Sequence, residues 1–124
     1  MNVIETKNAP GAIGPYSQGY AFGDLVITSG QIPVDPATGT TPEGISAQAE
    51  QSCKNVGAIL EAAGSGFDKV VKTTCFLADM GDFAVMNEVY ASQFEGAFPA
   101  RSAVAVKTLP KNGLVEVEVI AVKD

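Results

Sequence analysis

Arg101 has the clearest chemical potential in the chain. It is the only arginine among 124 residues, the other seven cations being lysines. A guanidinium is a planar fork of donors that stays charged at any working pH, so it grips a carboxylate or phosphate through two parallel hydrogen bonds. It follows Pro99 and opens an alternating run over residues 102–106, which predicts that it stands where a loop enters a β-strand, with its charge pointing out of the scaffold. An arginine at a strand start is often merely solvated, and its significance depends on its companions. Glu116 and Glu118 are the next candidates. They lie two residues apart in Val115-Glu116-Val117-Glu118 and so share one face of a strand. In water they are a solvated acidic pair. At a subunit interface, burial raises a carboxyl pKa and a nearby arginine lowers it, and a balance near neutrality makes a usable acid or base.

What is missing narrows the chemistry further. The chain has no histidine, which excludes hydrolases that need a histidine base and zinc sites built on imidazole. Proton transfer then falls to Glu, Asp, Tyr, Lys or ordered water. No GxxxxGK[ST] loop and no GxGxxG fingerprint occurs, so nucleotide cofactors have no support and no cofactor or metal is expected. Cys53 and Cys75 are isolated, in segments that read as helix and strand, and are expected to be buried free thiols.

The length suits one domain over residues 1–124. Hydrophobic residues make up 46% and charged residues 18%, enough for a core and with a surface rather poor in charge. A net charge of −6 leaves no basic face for phosphates, so no nucleic-acid partner is expected from bulk electrostatics, although a local RNA contact remains open. Residues 1–7 lack the apolar core of a signal peptide. No segment approaches the roughly 20 apolar residues of a spanning helix, so a soluble, cytoplasmic protein with no membrane partner is expected.

The elements that must position these residues follow from periodicity. Residues 3–6 read as a short edge strand. Residues 16–22 and 25–29 read as a hairpin about Gly23-Asp24. Residues 30–44, with three prolines and three glycines, form a loop. Thr41-Pro42-Glu43 resembles a helix start, and the helix runs to about Ala63 with Ile45, Ala49, Cys53, Val56, Leu60 and Ala63 as its stripe; Gly64 ends it. Residues 70–77 make a strand. Asp82 is expected to cap a second helix reaching about Glu95, its stripe formed by Phe83, Met86 or Asn87, Tyr90 and Phe94. An asparagine on the inner edge of that stripe needs a partner for its amide; at the margin it faces water. Strands at 103–106 and 115–122 complete a β-β-β-α-β-α-β-β order, an α+β mixed sheet with both helices on one face. Two helices cannot cover both faces of a sheet. Glu116, Glu118, Ile120 and Val122 therefore share a half-apolar face best buried against another copy of the chain.

Three separated motifs, Phe98-Pro99-Ala100-Arg101-Ser102, Gly14-Pro15-Tyr16-Ser17-Gln18-Gly19 and Ile27-Thr28-Ser29-Gly30-Gln31-Ile32-Pro33, stand with Val71-Lys72-Thr73-Thr74, Leu109-Pro110-Lys111 and the 115–118 run in one order. Together they resemble the Rid family of reactive-intermediate deaminases, also called YjgF-like or L-PSP endoribonucleases, over almost the whole chain. The resemblance implies a bacillus-type chorismate-mutase-like fold and a homotrimer with sites in the clefts between subunits. It implies that Arg101 clamps the carboxylate of a small 2-imino acid, or of its enamine tautomer, and that Glu116 positions a water or shuttles protons, giving a 2-oxo acid and ammonia. Tyr16, otherwise a plain strand aromatic, would be a phenol closing the pocket, with Ser29 beside Gly30. Gly30 would bring its backbone close to the ligand. Asn87 falls at a position near the family's site. Many relatives carry a cysteine two residues after the arginine; here that position is Ala103, expected to supply a backbone group and to rule out a thiol mechanism there. The alternative expectation is a small-carboxylate-binding regulatory trimer, or a ribonuclease or translation inhibitor, with little deaminase activity.

Overall fold

The computed structural model describes residues 2–123. Six strands, β1 (Asn2–Ile4), β2 (Gly19–Phe22), β3 (Leu25–Thr28), β4 (Val70–Leu77), β5 (Ala100–Ala105) and β6 (Val115–Val122), and two helices, α1 (Ile45–Ala62) and α2 (Phe83–Ala91), follow one another in the expected order. They form one mixed sheet, β1-β2-β3-β6-β4-β5, in which only β4 and β5 run parallel. A parallel pair needs a crossover, and α2 provides it. Gly23 takes a φ of 56° in the two-residue link between Phe22 and Leu25, a conformation that side-chain-bearing residues adopt at a cost.

Alternation along β6 divides the molecule in two. Val115, Val117, Val119 and Ala121 are buried with Val26, Cys75 and Leu77 beneath Val56, Ile59 and Leu60 of α1 and Met86 and Tyr90 of α2. Each such buried aliphatic side chain contributes about 1.5–3 kcal/mol. The opposite face has no cover. It carries Val3, Tyr20, Phe22, Leu25, Ile27, Phe76, Val104, Ile120 and Val122, and six of these are exposed by 36% or more.

Several boundaries differ from expectation, each for a local reason. Residues 16–18 are loop rather than strand, because Gln18 turns inward: its Oε1 accepts from the Thr6 N–H and its Nε2 donates to the carbonyls of Thr6, Ala9 and Pro10. Helix α1 begins three residues later than Thr41-Pro42-Glu43 suggests. Gly44, at φ 88°, makes the turn into the helix, and Gln48 N–H donates to its carbonyl. The buried face of α1 is also broader than the apolar stripe, for it includes Gln48, Ser52 and Asn55. Asp82 makes no capping bond; Asp79 accepts from the Gly81 N–H and opens a short 3-10 turn that runs into α2. At the far end Ser92 and Gln93 donate to the Val89 carbonyl, so α2 stops at Ala91 rather than near Glu95. Phe94 then leaves the helix and packs by its ring on Phe67, Tyr90 and Phe98.

Candidate active site

Register decides where Arg101 points. It is the second residue of β5 and pairs with Thr73 of β4, which pairs with Val119 of β6. Thr73 and Val119 lie beneath the helices, so the guanidinium faces inward to the helix side and is half-buried. This corrects the outward direction expected of it. The strand begins at Ala100, earlier than the alternation from Ser102 suggests, and the pleat then turns position 101 toward α2.

Helix α2 receives the side chain with uncharged groups. Arg101 Nη1 donates to Asn87 Oδ1 at 2.7 Å, and Cζ lies 4.7 Å from the centre of the Tyr90 ring and 5.3 Å from that of Phe83. The Tyr90 and Thr73 hydroxyls share a buried hydrogen bond of 2.8 Å. Among the described residues no carboxylate pairs with Arg101; besides Asn87, its guanidinium has the Cys75 thiol as a hydrogen-bonding neighbour. Asn87 thus has the partner its place in the stripe demanded. Ala103 shares the inward face and pairs with Cys75. Burial pushes the Cys75 thiol up, while the Arg101 charge and hydrogen bonds with Thr73 and Arg101 pull it back. Cys53 is pushed up to about 12 by burial, with Cys75 and Glu50 adding to it. Both cysteines are free and buried, in helix and strand as expected, and a thiol held protonated is a poor nucleophile.

Glu116 belongs to a second group. It pairs with Phe76 and lies on the uncovered face. Its carboxylate rests on Gly30, where an added Cβ would overlap Oε2 and come within 2.8 Å of Cδ. Burial holds its carboxyl above the ordinary value of 4.5, and the neighbouring Glu118 adds to the rise. Ser29 donates its hydroxyl to the Ser17 carbonyl and its N–H to the Gln18 carbonyl, tying the end of β3 to the segment that carries Tyr16. Tyr16 is 52% exposed, and its hydroxyl accepts from the Ile13 N–H at 3.3 Å.

The structure therefore brings Arg101, Asn87 and Ala103 together on one side of the sheet, and Ser29, Gly30 and Glu116 together on the other with Tyr16 close by in sequence. One chain does not unite the two groups, since β4 stands between β5 and β6 and the groups face opposite ways. Sequence reasoning took Phe83 and Tyr90 only as core and passed over Thr73. The signal was present, for residues 83, 87 and 90 occupy one helix face and the polar one marks what that face serves. It also passed over Asn55, whose Nδ2 donates to the carbonyls of Ile32 and Val34, and Gln31, which bridges to Val117; both hold the loop that carries Gly30.

A family model described as endoribonuclease L-PSP matches residues 6–123. The chain belongs to that family. Among its L-PSP relatives is a Salmonella typhimurium protein named 2-iminobutanoate/2-iminopropanoate deaminase, 55% identical over 97% of this chain and 96% of that one. A Lactococcus lactis relative named putative regulator AldR is 52% identical over 98% and 97% of the two chains. The crystal structure of Escherichia coli TdcF with bound serine superposes with a TM-score of 0.97 at 48% identity over the whole of both chains. The mixed sheet with two helices is thus the architecture of this family.

Proposed function

We propose that this protein deaminates reactive 2-imino acids and their enamine tautomers hydrolytically, releasing 2-oxo acids and ammonia, with 2-iminobutanoate and 2-iminopropanoate as substrates. The observation that carries the reading is the state of Arg101. A half-buried arginine ordinarily finds a carboxylate, whereas here an amide oxygen and two ring faces hold the fork without cancelling its charge. That leaves a fixed cation for the carboxylate of a small substrate. The relative named as a deaminase, 55% identical over almost the full chain, supports the choice of substrate, and the serine in TdcF is a small molecule with a carboxylate.

The chemistry needs little more than orientation and one proton carrier. Arg101 binds the carboxylate in two parallel bonds and leaves the C=N carbon open to water. Water adds to that carbon as Glu116 accepts its proton. Return of that proton to nitrogen completes the carbinolamine, and transfer of its hydroxyl proton to the same nitrogen, again through Glu116, breaks C–N and forms C=O with loss of ammonia. Imines already hydrolyse in water, so a modest reduction of the barrier suffices. Ala103 contributes backbone, Gly30 a close approach, and Tyr16, Ser29 and Asn87 the walls.

We read the architecture as the chorismate-mutase-like fold assembled as a homotrimer, in which the Arg101 group of one copy meets the Glu116 group of the next. The opposite facing of the two groups and the bare apolar sheet face support this. A cytoplasmic setting is supported by the two unpaired thiols; among the described residues no helix is long and apolar enough to cross a membrane. The relative named as a putative regulator favours a second reading, a trimer that binds small carboxylates and signals through a partner. Ammonia release from a 2-imino acid generated in place decides between them. The wild type is expected to exceed the uncatalysed rate, and Arg101→Ala to lose about 30- to 150-fold, the worth of a charge-assisted hydrogen-bond pair at roughly 2–3 kcal/mol. A wild type no faster than buffer would leave the regulatory reading standing.

A further inference from the structure

We propose that one face of α2 is a preformed cradle for a guanidinium, so that Phe83, Asn87 and Tyr90 are positioning residues that set the plane and direction of Arg101. The inference rests on Arg101 as the carboxylate clamp and changes the role of Asn87 from a substrate contact to a support. Three residues at helical spacing converge on one cation: the amide oxygen of Asn87 takes one Nη, and the rings of Phe83 and Tyr90 lie 5.3 Å and 4.7 Å from Cζ. Asn87 takes one Nη1 hydrogen and the Cys75 thiol lies beside the guanidinium, so a ligand meets the donors of the fork that these two leave. An aspartate at 87 would hold the same nitrogen but neutralise it. An amide holds it and leaves the charge in place.

The cradle is fastened from behind. Tyr90 is 7% exposed and its hydroxyl is held by Thr73, 1% exposed, the residue of β4 that pairs with Arg101 itself. Helix α2 is thus tied to β4 through the Tyr90 hydroxyl and to β5 through Asn87, at paired positions of the two strands. Swinging the ring out of place would break a buried hydrogen bond, so the aromatic shelf is held where it is before any ligand arrives. Ordinary core packing accounts for a buried Tyr90. It does not account for an amide at 87 that spends its oxygen on the one arginine of the chain.

The experiment empties the cradle and offers it a free occupant. In Arg101→Ala, guanidinium at millimolar, non-denaturing concentration is expected to bind saturably by NMR titration and to restore ammonia release at least about tenfold, whereas methylammonium, a point charge with no planar fork, is expected to do neither. Adding Asn87→Leu or Tyr90→Leu is expected to weaken guanidinium binding about tenfold or more, and adding Tyr90→Phe, which keeps the ring, to weaken it less. Asn87→Leu alters a half-buried position and serves if Tyr90→Leu does not fold. Equal binding in the single and double variants, equal action of methylammonium, or no binding of guanidinium by Arg101→Ala overturns the cradle. Binding is read without turnover, so a wild type that releases no ammonia would sink the deaminase reading and leave this result to stand or fall separately.

Discussion

At the scale of single residues, what matters is how Glu116 is kept protonatable and how Gly30 lets it sit where it does. The folded-state pKa of Glu116 lies above 4.5, raised by burial and then by Glu118. Between the unfolded value and the raised one the native state binds more protons than the unfolded chain, so stability falls as pH rises through that window. The destabilisation is absent below the unfolded pKa and complete above the folded one. Glu116→Gln removes it, and denaturant midpoints across pH are expected to show the variant gaining on the wild type as pH rises from below 4.5 through that window. The rate is expected to behave oppositely: Glu116→Gln lowers turnover and flattens the acidic limb of the profile. Gly30→Ala puts a methyl group where the carboxylate now rests. The fold is expected to persist by circular dichroism, while kcat/KM falls by about tenfold or more, since displacement of a catalytic group by an ångström costs up to about a hundredfold.

At the scale of elements, the strands and helices were legible because alternation and helical stripes are written directly in the sequence. Val115 to Val122 reads as a strand without ambiguity, and the hairpin about Gly23 declares itself. Boundaries were less legible, because they depend on distant side chains. Gln18 removes residues 16–18 from β2 through bonds to residues 6–10, and nothing local announces that. The inward turn of Arg101 was equally hidden, since a residue expected in the loop before the strand lies within it, where the pleat sets its face. Asn55 shows the same limit: in α1 it looks like an ordinary polar residue, yet it is wholly buried and carries the Ile32 and Val34 carbonyls. Asn55→Ala strands both carbonyls. A loss of about 2–3 kcal/mol is expected in urea titration, the cost of orphaning buried acceptors. The loop that presents Gly30 should then exchange its amide hydrogens faster than the rest of the sheet.

At the scale of the whole molecule, the uncovered sheet face is the surface that the proposed trimer would bury. Leu25, Ile27, Ile120 and Val104 form part of an apolar surface of a kind that monomers rarely leave open. Light scattering after size exclusion is expected to give three copies per particle. Ile120→Asp places a charge in the middle of that face and is expected to yield monomers with native-like circular dichroism but without turnover. A monomeric wild type would remove the shared-site reading. Half of the division of the candidate site residues between two faces was legible in the sequence, since alternation along 115–122 puts Glu116 on the uncovered face; the side on which Arg101 stands depends on the register of β5 on β4, which the sequence does not announce.

The order of the strands has a consequence for how the molecule comes into being. The sixth of the described strands is not at an edge; β6 lies between β3 and β4, pairing Ile27 with Ile120 on one side and Thr73 with Val119 on the other. Until residue 122 has left the ribosome, β3 and β4 have no strand between them and the core under α1 lacks four of its side chains. Pairing of the whole sheet therefore waits until β6 has emerged. Its closing step joins residues far apart in sequence, such as Ile27 and Ile120, the long-range kind of contact that makes folding slow. A nascent chain stalled before β6 would expose Val26, Cys75 and Leu77 on unpaired strands, and it would depend on a holding chaperone for that interval.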